Sequence, residues 1–167
     1  MLQNNHESKY VSPPAAPPVV RPDGRPRVLV AEDDDEMRKL LAKVLYADGY
    51  AAVECRDGVD LFRQLEPFVV RRAALDFDVI VSDIRMPGLT GLEILEDLHD
   101  CRGFPPMILI TAFGDAGVHA RARKAGAAAV LDKPFGTEEL LNKLHEIAPR
   151  ERLGNNTMNG RSAAVPS

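Results

Sequence analysis

Cysteine is scarce in this 167-residue sequence. Cys55 and Cys101 are too few for a disulfide framework and fit a reducing compartment. No apolar run approaches the roughly 18–20 residues that span a bilayer, and the first residues lack the apolar stretch of a secretory signal. Positive charge is not in excess either. Against 25 Asp and Glu stand 21 Lys and Arg, giving a formal net charge of −4 and a pI of about 5.6. That balance speaks against a nucleic-acid-binding surface. The expectation is a soluble, cytoplasmic protein with no membrane insertion and no nucleic-acid partner. What is present is a substantial apolar content, 45 % of residues, enough for a core in the middle of the chain.

The ends differ from the middle. Residues 1–26 hold Pro13, Pro14, Pro17, Pro18, Pro22 and Pro26 without hydrophobic periodicity, which predicts an extended, disordered arm. Residues 149–167 are polar and short and are expected to be a disordered tail. No internal repeat is evident. Between the ends, residues 27–148 alternate between short apolar runs and helical patterns.

Val28–Ala31 reads as a buried strand. Met37, Leu40, Leu41, Val44 and Leu45 mark a helix face after it, with Asp34 or Asp35 as cap and Gly49 as stop. Tyr50–Glu54 follows as an edge strand. Val59, Phe62 and Leu65 mark a second helix, which Pro67 is expected to interrupt, with 68–75 as a helical or irregular extension. Strands at Val79–Ser82, Met107–Ile110 and Ala128–Leu131 alternate with helices marked by Leu92, Leu95 and Leu98, by Val118, Ala122 and Ala125 (stopped by Gly126), and by Leu140, Leu144 and Ile147. Five strand–helix units predict an α/β fold with a doubly wound parallel sheet covered on both faces. In such sheets the site lies beyond the carboxyl ends of the strands, at the switch in strand order.

The polar residues just after the strands therefore matter most. Glu32 and Asp33 follow the first, Asp83 the third, Thr111 the fourth, and Lys133 and Pro134 the fifth. Taken singly, each has an ordinary structural reading: a helix cap, a turn residue before Met86-Pro87-Gly88, a helix-entry hydroxyl, a surface lysine. Jointly they converge on one sheet edge. Three carboxylates brought close together disfavour one another's ionisation. A hard divalent cation such as Mg²⁺, which takes oxygen ligands and keeps several waters, resolves the conflict. With Lys133 the formal charges then balance.

The segments VLVAEDDDEMRKLL, VIVSDIRMPGLTGLEIL, ILITAFGD and AVLDKPF resemble the four signature regions of response-regulator receiver domains. Their spacing fits as well: 50 positions from Asp33 to Asp83, 28 to Thr111 and 22 more to Lys133. The resemblance covers residues 27–148. It implies a flavodoxin-like (βα)5 fold of strand order 2-1-3-4-5.

By the same resemblance Asp83 is the phosphoacceptor, and Mg²⁺ is held by Asp83, Asp33, Glu32 and the backbone carbonyl of Arg85. Glu32 stands where Asp is commoner, so its contact with the metal is direct or through water. Lys133 is expected to pair with Asp83 and then with the phosphoryl group, Pro134 to follow a cis peptide bond, and the Thr111 hydroxyl to bind a phosphoryl oxygen and draw its loop inward. Arg85 and Phe113 flank the site and are expected to tune access of the hydrolytic water. Val130 departs from the family pattern, where Tyr or Phe is common three positions before the lysine. The aromatic part of the switch is then missing or relocated, which puts signalling through the helix 4–strand 5–helix 5 face in doubt.

The implied function is a two-component or phosphorelay switch rather than an enzyme with a separate substrate. It catalyses only its own phosphotransfer and dephosphorylation. Its donor is a sensor histidine kinase or a histidine phosphotransfer protein, and its output is contact with a downstream protein or a phosphorylation-dependent homodimer. The 19 residues after 148 predict no output domain, hence a stand-alone receiver. Arg121, Arg123 and Lys124 read either as a solvated basic face or as a dock for an acidic partner. Two alternatives remain open at this point. One is a pseudo-receiver that binds partners without phosphorylation; the other is a Mg²⁺-dependent phosphohydrolase with an Asp nucleophile, for which the expected Asp-x-Asp after the first strand and a general acid are wanting.

Overall fold

A computed structural model describes residue 21 and residues 23–149. Five strands alternate with five helices: β1 Arg27–Ala31, α1 Asp35–Ala47, β2 Ala51–Cys55, α2 Gly58–Arg71, β3 Val79–Asp83, α3 Gly91–Leu98, β4 Met107–Thr111, α4 Ala116–Lys124, β5 Ala129–Asp132 and α5 Thr137–Ile147. All strand pairs are parallel and the sheet order is β2-β1-β3-β4-β5, the flavodoxin-like arrangement that the resemblance implied. No helix among the described residues is long and apolar enough to cross a membrane.

The continuous apolar strands are explained by burial on both faces. Successive side chains point to opposite sides of a strand. Leu29, Ile80, Met107 and Leu109 accordingly pack with Leu61, Leu65, Leu92, Leu95 and Ala122 of α2, α3 and α4. Val28, Val30, Val79, Val81, Ile108 and Ile110 pack on the other side with Leu41, Leu45, Leu140 and Leu144 of α1 and α5. β3 and β4 are buried along their whole length, whereas β2, an edge strand as expected, is only partly covered.

Several sequence expectations need correction. In α1 the inward stripe is Arg38, Leu41 and Leu45, and Leu40 is 48 % exposed. Leu40 sits about 100° around the helix from Leu41, too far to share its face. Asp34, rather than Asp35, caps the helix, accepting from the Met37 N–H at 2.7 Å. Gly49, in the left-handed region at φ 90°, follows the helix end. In α2 the buried positions are Leu61, Leu65 and Phe68, while Val59 and Phe62 are exposed.

Pro67 does not interrupt α2, which runs on to Arg71. A proline removes the one helical N–H that would reach back four residues, and here that loss falls in the last two turns. The helix then ends with Arg72 at φ 54°, as the Arg72 and Ala73 N–H groups donate to the Phe68 and Pro67 carbonyls at 3.1 Å. The second strand starts at Ala51, one residue later than expected. Tyr50 is buried before it and donates its hydroxyl to the Ala148 carbonyl at 3.1 Å.

The expected disorder of the arm falls mostly on residues 1–20 and 22, which lie outside the described residues, as do 150–167 of the tail. Arg21 is described, and it is tied to the domain. Its guanidinium donates to Asp76 at 2.8 Å and to Asp78 at 2.5 Å.

Candidate functional site

The chain leaves β1 toward α1 on one face of the sheet and leaves β3 toward α3 on the other. The crevice at this switch opens beyond the carboxyl ends of β1 and β3. Glu32 and Asp33 lie directly after β1, Asp83 is the last residue of β3, Thr111 the last of β4, and Lys133 follows β5. The sheet thus brings together the residues expected from sequence. Glu32, Asp33 and Asp83 each offer a carboxylate oxygen within 4.8 Å of the others'.

Burial divides the three acids. Glu32 is 1 % and Asp83 6 % exposed, whereas Asp33 is open to solvent. Lys133 bridges the buried pair, its Nζ donating to Asp83 Oδ2 at 2.6 Å and to Glu32 Oε2 at 2.8 Å. The pairing with Asp83 was expected from the resemblance; the one with Glu32 was not. The second oxygens are also held: the Arg85 N–H donates to Asp83 Oδ1 at 2.7 Å, and the Asp34 N–H donates to Glu32 Oε1 at 3.3 Å.

Burial pushes the Glu32 carboxyl above its ordinary range, the bond from Lys133 opposes this, and the charge of Asp83 adds to it. Burial also pulls Lys133 down, but the bonds to Asp83 and Glu32 outweigh it and the ammonium is held more firmly than usual. The pocket is thus an acid-rich place that already draws one cation in.

A set of hard oxygen donors at this spacing fits Mg²⁺, which needs only one or two carboxylates plus carbonyl, water or phosphate oxygens. Solvent-open Asp33 leaves room for the waters such an ion keeps. The wall behind Asp83 is tight. A Cβ on Gly91 would stand 2.5 Å from both the Asp83 carbonyl oxygen and Ser82 Oγ, so α3 can start here only with glycine.

The Lys133–Pro134 peptide bond is cis. Thr111 is buried, and its hydroxyl oxygen accepts from the Phe113 N–H at 3.1 Å, folding back on its own loop. The Arg85 guanidinium lies over the Phe113 ring at 4.7 Å, so the two residues expected to flank the site touch each other. Val130 is partly buried in β5 and packs against the core on the α2–α4 side.

Sequence reasoning missed Arg38. Its side chain is almost fully buried and donates Nη1 to the Glu32 carbonyl at 2.8 Å, pairs through Nη2 with Asp35, and faces Glu54 at 3.4 Å. It therefore anchors the loop that carries Glu32 and Asp33. The available signal was its place on the stripe with Leu41 and Leu45, three and seven positions on.

Residues 28–145 match the response regulator receiver domain family. The chain belongs to that family. Receivers are the regulatory signalling domains of two-component systems, response regulators in general take their signal from histidine kinases, and receiver domains are generally Mg²⁺-dependent. Among curated proteins, this receiver is 35 % identical over 132 residues to the C4-dicarboxylate transport transcriptional regulatory protein DctD of Pseudomonas aeruginosa, covering 78 % of this chain and 27 % of that protein. It is 34 % identical over 134 residues to the transcriptional regulatory protein FixJ of Azorhizobium caulinodans, covering 80 % and 58 % respectively. The chain thus spans only about a quarter to three fifths of the length of these relatives.

Among solved structures, chemotaxis protein CheY4 of Vibrio cholerae is similar at 27 % identity and a TM-score of 0.62, covering 74 % of this chain and 98 % of that one. The non-phosphorylated HemR receiver domain of Leptospira biflexa is similar at 27 % identity and 0.63, with 74 % and 94 % covered.

Proposed function

We propose that this receiver is a phosphorylation switch that takes a phosphoryl group onto Asp83 from a phosphohistidine of a sensor histidine kinase or a histidine phosphotransfer protein, acting in the cytoplasm and signalling by contact with a downstream protein. One observation carries the reading: Lys133 clasps the carboxylate of Asp83 at 2.6 Å in a pocket that also holds Glu32 and Asp33 within oxygen-ligand reach.

In the transfer, an Asp83 carboxylate oxygen forms a bond to phosphorus while the phosphorus–nitrogen bond breaks. The departing imidazole nitrogen keeps the electron pair, and an acyl phosphate remains. Glu32, Asp33, Asp83 and the Arg85 carbonyl would hold Mg²⁺, which would supply charge neutralisation for the phosphoryl oxygens. The protein's own share is alignment. Arg38 and the Asp34 N–H fix the Glu32 loop, and the Arg85 N–H fixes one oxygen of Asp83 and so directs the other. Lys133 gives up part of its bonding to Asp83 in exchange for a phosphoryl oxygen. The Thr111 hydroxyl, now held by its own loop, turns to another phosphoryl oxygen and draws the loop with it. Phosphorylation then acts by favouring the conformer in which Thr111 reaches the phosphate.

The test is intact mass after incubation with a small acyl-phosphate donor and Mg²⁺, beside Asp83→Asn. A gain of one phosphoryl group that needs Mg²⁺ and is absent from the variant is expected. A gain that persists in Asp83→Asn rejects Asp83 as acceptor. No gain from either the small donor or phosphohistidine proteins, with no Mg²⁺ binding, turns the reading to a partner-binding pseudo-receiver.

A further inference from the structure

Asp132 and His119 form a side-chain link outside the acidic pocket. Asp132 ends β5, directly across from Thr111 in the strand register and directly before Lys133, whose N–H donates to the Thr111 carbonyl at 2.7 Å. Its carboxylate is met by His119 of α4, whose Nε2 lies 2.9 Å and 3.1 Å from the two oxygens. A carboxylate accepts only, so Nε2 carries the proton in this contact.

The loop 112–115, which joins Thr111 to α4, packs against this pair. A Cβ on Gly114 would overlap the Asp132 carboxylate and stand 2.6 Å from His119 Nε2. Glycine therefore lets the loop run in contact with both groups. In this arrangement Thr111 is turned to its own loop, accepting from Phe113 N–H at 3.1 Å. Drawing the Thr111 loop inward toward Asp83 would shift Gly114 against the His119–Asp132 pair that it touches.

We propose that His119 and Asp132 are positioning residues that form a latch, fixing the resting place of the Thr111 loop and yielding when Thr111 moves to a phosphoryl group. The proposal rests on the reading of Asp83 as phosphoacceptor. The latch couples three parts of the switch, since Asp132 adjoins Lys133, opposes Thr111 and is tied to α4. The pair is partly exposed, with side chains 24 % and 55 % accessible, so its effect on the switch equilibrium is modest.

The experiment titrates the full chain with beryllium fluoride in saturating Mg²⁺, following the Thr111 and Gly114 amide signals by NMR. Compared are the parent, His119→Ala, Asp132→Ala and the double variant, with Mg²⁺ alone titrated in parallel. A latch that favours the resting loop predicts a half-saturating concentration about two- to fivefold lower in each single variant. It predicts no further fall in the double variant, because either change opens the same link, and unchanged affinity for Mg²⁺ alone. Unchanged or higher half-saturation in the single variants overturns the latch, as do fully additive effects in the double. If the parent itself binds Mg²⁺ but takes up no beryllium fluoride, the phosphoacceptor reading has failed instead. Two variants on different elements guard against one of them losing its fold, which the amide spectrum would reveal.

Discussion

Lys133 holds together two carboxylates that would otherwise repel in a place almost closed to water. Replacing it with methionine leaves Glu32 and Asp83 buried without their shared cation. Breaking a buried charge pair in this way costs about 3 kcal/mol, the low end of the usual range because Lys133 itself is partly exposed. Urea unfolding of Lys133→Met should show that loss without Mg²⁺ and a larger recovery on adding Mg²⁺ than the parent shows. Equal Mg²⁺ responses would mean that the ion and the lysine do not answer the same charge conflict.

Phe113 is a second residue-scale case. Its ring is 63 % exposed and lies beneath the Arg85 guanidinium, two residues beyond Thr111. Phe113→Ala should change the lifetime of the phosphoryl group on Asp83, read by intact mass against time. An unchanged lifetime would remove Phe113 from the control of hydrolysis. Arg38 acts one step further back, through the Glu32 carbonyl, and so belongs to the placement of the acidic loop rather than to the chemistry.

At the scale of elements, α3 begins where the site ends. Thr90 and Glu93 form a reciprocal capping box: the Glu93 N–H donates to Thr90 Oγ1 at 3.1 Å, and the Thr90 N–H donates to Glu93 Oε2 at 3.0 Å. The Thr90 backbone bond, with the hydroxyl bond beside it, holds the Glu93 carboxyl below its ordinary range. Thr90→Ala should lower stability by about 1 kcal/mol, measured as a shift of the urea midpoint at unchanged slope. A changed slope would signify a wider loosening than a lost cap. The helices also show where periodicity misleads. Met37, Leu40, Leu41, Val44 and Leu45 span more than one face, and only packing against β2 and α5 selects Leu41 and Leu45.

Across the whole molecule, the far edge of the sheet from the site is closed by charge. Arg21 and Arg27 both bind Asp76, and Arg21 also binds Asp78. Burial is the largest single influence and raises the Asp76 carboxyl, but the hydrogen bonds and charges of Arg21 and Arg27 together outweigh it and hold it below its ordinary value. A carboxyl lowered in the folded state stabilises the fold above its unfolded value, about 3.9, and that contribution is lost as pH falls through the folded value. Asp76→Asn should therefore be less stable than the parent at pH 7, and the gap should close as pH falls below about 4. A gap that persists in acid would assign the effect to packing.

The sequence by itself determined the order and kind of the elements. Apolar runs buried on both faces and helices with an apolar stripe leave little choice but a parallel sheet between two helix layers. The motif residues Glu32, Asp33, Asp83, Thr111 and Lys133 were legible too, because each stands at or just beyond the carboxyl end of a strand. Tertiary structure alone decided what spacing along the chain cannot carry. It sent Arg38 inward and Leu40 outward, let α2 continue through Pro67, joined Lys133 to Glu32 across 101 positions, and set His119 on Asp132. Those choices depend on which groups meet across the sheet edge and on how each buried charge finds a partner, and both are fixed only when distant segments pack together.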